Sequence, residues 1–154
     1  MKYENKFNLT ITPIVVIISL FLSFLIIGNP FIAFKNKQLE KSIFEVKDST
    51  EMYINEVIPF EWEMLYTFPC ETNKQTMENV MGFKSKDIPS NTEDNSLNLI
   101  FVKNNQVISQ IYTNPKDIGF NIVFEDIIYF KDNCVFNVSL EEKTIILKHR
   151  NMNI

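Results

Sequence analysis

Apolar residues run almost unbroken from Ile14 to Ile27, interrupted only by Ser19 and Ser23, and no charged side chain lies between Lys6 and Lys35. A serine hydroxyl in a helix can bond back to a carbonyl one turn earlier, so neither interruption ends the pattern. Thr12 before Pro13 is a helix start: a capping side chain, then a residue whose missing N–H is not needed at the first helical position. A helix from Pro13 to Phe34 would be roughly 30 Å long at about 1.5 Å per residue, the thickness of a bilayer's hydrocarbon core. The pattern predicts a short tail at residues 1–12 and a transmembrane anchor at 13–34.

The period then changes. Residues 35–50 mix charged and apolar positions, with Leu39, Ile43 and Val46 at helical spacing, and are expected as an amphipathic stalk. An α+β domain is expected over 51–154. Asp48-Ser49-Thr50 before Glu51 signals one or two helical turns, which Pro59 interrupts. In residues 60–68 the period is two: Phe60, Trp62, Met64, Tyr66 and Phe68 share one face of a strand, Glu61, Glu63, Leu65 and Thr67 the other. Pro69 ends it. Thr72 and Gln75 form a capping box for a helix over 73–81, closed by Gly82.

Residues 84–95 are polar and contain Pro89, which marks a loop. Residues 97–102 and 106–112 read as a hairpin around Lys103-Asn104-Asn105, because asparagine tolerates the positive φ of a tight turn. A loop with Pro115 and Gly119 follows, then extended segments at 121–125 and 127–130, a turn at 131–133, and a closing hairpin of 134–138 with 144–148 across 139–143. The fold class expected is α+β: an antiparallel sheet of about four to six strands with one packed helix, preceded by a single transmembrane helix.

Composition agrees with a folded domain. With 14 Phe, 5 Tyr and 21 Ile among 154 residues, and one Ala, the chain has apolar surface to bury and favours strands. From Lys35 onward the net charge is −5 and no basic stripe exists, which argues against nucleic-acid binding. Lys2 and Lys6 also suit a secretory leader, but the positions before Gly28 and Ala33 are large (Ile26, Phe31), unlike a cleavage site, and no lipid-accepting Cys follows. An uncleaved signal anchor with the domain outside is the preferred topology.

Candidate chemistry is sparse. His149 is the only histidine and is expected in a solvated tail, without a nucleophile set beside it. Glu61 and Glu63 share a strand face, where paired carboxylates could divide acid and base roles, although a solvated sheet face explains them as well. No metal, cofactor or phosphate loop is implied, and no catalytic residue is assigned. If the domain lies outside the cytoplasm, Cys70 and Cys134 can form a disulfide closing about 65 residues, worth roughly 4 kcal/mol; inside, they are two small buried thiols. Trp62, Tyr66 and Phe68 offer a recognition surface, or else a core face.

The segments EWEMLYTFPC, LNLIFVKNNQVISQIY and YFKDNCVFNV together resemble small anchored or lipoprotein-type bacterial proteins of unassigned activity, in which a tryptophan strand ending in proline precedes an "nliFvk.nkVi" hairpin. The likeness covers about half of the chain and implies structure, with no activity to transfer. Where that pattern has an aromatic after the proline and a small residue before the last hairpin, this chain has Cys70 and Cys134, a double departure that fits a local disulfide. The function expected is a non-enzymatic, membrane-anchored envelope module binding a protein or envelope component, through residues 84–95 or 113–119. An immunity or inhibitor protein against a toxin is the alternative, and a membrane-bound hydrolase a remote second one.

Overall fold

A computed structural model of the chain describes residues 13–19, 29–47, 50–90 and 97–151. Two compact units are distinguished, Met1–Pro30 and Phe31–Ile154. In the first, residues 13–19 are helical, and the side chains of Ile14, Val15, Val16, Ile17 and Ile18 are each at least half exposed. Residues 20–28 of the expected anchor lie outside the described residues. Among the described residues no helix is long and apolar enough to cross a membrane.

Helix α1 (Pro30–Glu45) belongs to the second unit from Phe31 onward. Proline at its first position is pre-set for a helix start, and the helix runs on through Phe34, where the anchor is expected to end. Nor is the segment a free stalk: Leu39 and Ile43 are completely buried and Ile32 nearly so. The spacing of these residues is what the amphipathic pattern offered. Tertiary packing decides that the stripe meets a core rather than water.

Beyond α1 come β1 (Glu51–Tyr53), α2 (Ile54–Val57), β2 (Met64–Phe68), α3 (Lys74–Met81), β3 (Leu97–Lys103), β4 (Gln106–Thr113), α4 (Pro115–Ile118), β5 (Phe120–Val123), β6 (Ile127–Tyr129), β7 (Val135–Glu141) and β8 (Thr144–His149). The α+β class holds, but one antiparallel sheet becomes two four-stranded sheets, β4-β3-β2-β6 and β1-β7-β8-β5. The chain changes sheet between β5 and β6, across Asp126 at φ 38°: β6 pairs antiparallel with β2, whereas β5 pairs parallel with β8. Two adjacent extended segments with a short connection look the same in sequence whether they pair with each other or with distant strands.

The inner faces of the two sheets make the main core. Leu65, Leu99, Phe101 and Ile128 meet Phe120, Phe136, Ile145 and Leu147, and Leu39, Ile43, Ile54 and Val57 belong to the same cluster. A second core forms on the other face of the first sheet, where Tyr66, Phe68, Ile100 and Val102 meet Met77 and Met81 of α3. The first sheet is therefore covered on both faces, which explains five consecutive buried residues, 98–102, in β3. Each large side chain fully buried this way contributes about 1.5–3 kcal/mol.

The predicted hairpin is present as β3–β4, with Asn104 and Asn105 at φ 51° and 55°, the mirror-image turn that matches strand twist. A register shift between Phe101 and Val102 gives β4 an extra residue. Across that bulge the faces exchange: Val107 joins the second core while Ile111, of the same parity, joins the main one. The closing hairpin turns tightly at Glu142 and Lys143 (φ 46° and 76°), so its strands are longer than expected. In α3 the cap is Asn73, whose side chain accepts from the Thr76 N–H at 2.9 Å, one residue beyond the capping box read from Thr72.

Candidate functional site

Strand β4 is an edge of the first sheet, and an edge strand presents backbone groups to any chain that can pair with them. Here α1 covers part of that edge through one side chain. The Asn36 Nδ2 donates to the Gln110 carbonyl at 2.7 Å, and its Oδ1 accepts from the Gln110 N–H at 3.2 Å and from the Ser109 hydroxyl at 2.8 Å. The primary amide thus makes the bonds a neighbouring strand would make at Gln110. It also satisfies Ser109, which is completely buried.

Strand alternation turns the backbone of Tyr112 the same way as that of Gln110, toward a groove of about 280 Å³. Asn36, Lys37 and Glu40 of α1, residues 110–113 of β4, Ile118 and Phe120 line it. Helix α4 places Ile118: Asn114 caps it by accepting from the Lys116 N–H at 3.0 Å, Pro115 starts it, and Gly119 ends it in the left-handed region. Two buried polar atoms here have no partner among the described residues, the Tyr112 hydroxyl and Gln110 Oε1. Burial holds the Tyr112 phenol well above the usual tyrosine range. The Gln110 Nε2 is engaged, donating to the Asp87 carbonyl at 2.5 Å. The groove sets polar side chains (Asn36, Lys37, Glu40 and Thr113) beside Ile118 and Phe120, and an extended segment laid along β4 can pair with the strand's edge.

A larger cleft of about 570 Å³ lies beside α3, lined by Lys74, Gln75, Glu78, Asn79, Gly82, Phe83 and Lys84. Its charged groups hold one another: Lys74 lies 3.8 Å from Glu78, whose Oε1 accepts from the Ser85 N–H at 2.9 Å. Both loops singled out in the sequence border a depression, through Lys84 in one case and Thr113 and Ile118 in the other.

The aromatic row is core, not a recognition surface. Trp62, Tyr66 and Phe68 are 3%, 5% and 8% exposed. Trp62 precedes β2 rather than lying in it, and its ring meets Phe101 and Phe130 edge-on at 6.2 and 5.4 Å. Tyr66 stacks on Phe68 at 5.9 Å beneath α3. The single face expected over 60–68 is not formed: Met64, Tyr66 and Phe68 keep period two and face the second core, whereas Phe60 and Trp62, ahead of β2, pack with the main core on the other side of the sheet.

Cys70 and Cys134 are free thiols. Cys70 follows the end of β2, whereas Cys134 follows the 3₁₀ turn Phe130–Asp132, whose first N–H bonds the Glu63 carbonyl at the start of β2. Cys70 thus follows one end of β2 and Cys134 a turn anchored at the other, and the expected disulfide is not formed. Burial, then the nearby Asp132, pushes the Cys134 thiol up.

Glu61 and Glu63 hold the β3–β4 hairpin. Glu61 pairs with Lys103, whose hydrogen bond and charge hold the carboxyl below its usual range, and Glu63 Oε2 accepts from the Asn104 N–H at 2.9 Å. His149 is no tail residue: it ends β8, with its ring 5.4 Å from that of Phe136. Among the described residues no group of three His, Cys, Asp or Glu could hold a metal ion. Sequence reasoning missed Asn36 and Gln110, because an asparagine between two lysines carries no sign of a partner 74 residues away.

No protein family, no curated protein and no solved structure matches the chain. What fold and groove define is a class, a two-sheet α+β domain with one partly covered sheet edge.

Proposed function

We propose that the chain is a membrane-tethered, non-enzymatic binding module of a bacterial envelope, with its domain outside, taking an extended segment of a protein partner in the groove beside β4. The observation that carries this reading is the helix at residues 13–19, whose five consecutive apolar side chains, Ile14 to Ile18, are each at least half exposed. Such a surface is unfavourable in water by about 25 cal/mol per Å² and favourable in lipid. The sequence stays apolar through Ile27, and Pro30 then starts a helix of the folded unit. The groove is the surface assigned to the partner, since main-chain pairing along a sheet edge gives affinity without a catalytic group.

Two measurements test it. Alkaline carbonate extraction of membranes from cells making the full chain should leave it in the pellet; release into the supernatant removes the tether. Extended peptides selected by phage display on the full chain in detergent micelles should lose binding in Ile118→Glu and in Thr113→Lys. Binding retained in both variants moves the partner surface elsewhere.

A further inference from the structure

The outer face of helix α1 carries two of the three most exposed large apolar side chains of the second unit among the described residues. While Ile32, Leu39 and Ile43 turn inward, Phe34 is 62% and Phe31 75% exposed, one helical turn apart. On the same face Lys37 and Lys41 follow Phe34 at three and seven residues. No acidic residue lies between Asn29 and Gln38. Lys35 is partly buried, with its ammonium 4.7 Å from the centre of the Phe60 ring, and Lys41 lies 3.7 Å from Glu45, both exposed. The first half of α1 therefore presents aromatic rings beside lysines, and its second half, from Glu40, carries mixed charge.

We infer that the first half of α1 lies in the headgroup layer of the membrane that holds the chain, with Phe31 and Phe34 entering the acyl boundary and Lys37 facing anionic lipid phosphates. This rests on the tethering reading above. The occupant follows from chain length and charge. Ile27 ends the apolar run only four residues before Phe31, so at about 3.3–3.6 Å per residue Phe31 cannot lie more than roughly 14 Å from the end of that run. A face that close to a bilayer, carrying large apolar rings beside lysines, has the composition of a helix lying in an interface, where rings sit at the acyl boundary and lysines reach headgroups. Lys37 also lines the groove beside β4, so that groove would open beside the membrane rather than far from it.

The experiment uses the full chain in vesicles of phosphatidylcholine and phosphatidylglycerol, with and without bromine on the acyl chains, and compares the native protein with Phe34→Trp. Trp62, the single native tryptophan, is buried in the domain and serves as the internal reference. Flotation with the vesicles reports the tether. Expected is flotation of both proteins, with the added emission of Phe34→Trp quenched about twofold by brominated lipid and the native emission unchanged. Quenching should weaken in vesicles of phosphatidylcholine alone; equal quenching in both lipids overturns the role of Lys37. Flotation without quenching of the added tryptophan overturns the inference and leaves the tether standing. Failure to float overturns the tether itself, and the inference with it.

Discussion

The side-chain amide of Asn36 lies against the peptide of Gln110, donating to its carbonyl at 2.7 Å and accepting from its N–H at 3.2 Å. One residue of a helix thereby takes the place of a strand at the edge of a sheet. Because Oδ1 also accepts from the Ser109 hydroxyl, removing it strands three polar groups at once. Asn36→Ala should lower unfolding free energy by about 2–3 kcal/mol, read from urea denaturation. Adding Ser109→Ala should cost less in that background than in the native protein, since the hydroxyl it removes is already orphaned; strict additivity would refute the shared network.

Gly119 and Gly82 both end helices at positive φ, 76° and 79°, but only Gly119 is crowded. A Cβ at Gly119 would lie 2.9 Å from Phe44 Cζ, whereas one at Gly82 meets nothing within 4 Å. Gly82→Ala should cost about 1 kcal/mol from backbone strain alone. Gly119→Ala should cost about 0.5 kcal/mol more, because the half-exposed Phe44 ring must swing aside. In a Phe44→Ala background the two costs should converge, and thermal denaturation of the four variants decides it.

Trp62, Tyr66 and Phe68 carry stability. Each change to alanine should cost about 3–5 kcal/mol, the range for deleting a buried aromatic. Partner binding by the fraction that stays folded should be unchanged. A variant that folds normally but loses binding would restore these rings to a recognition role.

Alkaline pH should unfold the protein through its tyrosines. Burial raises the Tyr112 and Tyr66 phenols, so above about pH 10 the unfolded chain releases protons that the folded chain keeps. The folded state then binds more protons, and stability falls as pH rises. The denaturation midpoint should drop between pH 9 and 11 (about one unit either side of the ordinary tyrosine value), and less steeply in Tyr112→Phe. At neutral pH that variant should lie within about 1 kcal/mol of the native protein, since its hydroxyl has no partner to lose.

Thiol chemistry should separate the two cysteines. Maleimide should modify the exposed Cys70 in the folded protein without prior reduction. Cys134, half-buried and with its thiol raised, should react only at higher pH or after unfolding. A reducing agent should leave the denaturation midpoint unchanged, and a shift would reveal a disulfide.

What the sequence determined by itself was local. The Asn104-Asn105 turn, the α3 helix between Asn73 and Gly82, the amphipathic stripe of α1 and most strand positions follow from periodicity, capping and the φ tolerance of single residues, all read within about ten positions. Tertiary structure alone decided which strands pair, because β5 and β6 are adjacent in sequence yet enter different sheets. It decided that Trp62, Tyr66 and Phe68 are covered, since alternation marks a face without saying how many layers lie over it. It left Cys70 and Cys134 unbridged, and the groove beside β4 depends on Asn36 meeting Gln110 across 74 residues. Contacts at that range are fixed by the summed burial of two cores, which no short stretch of sequence encodes.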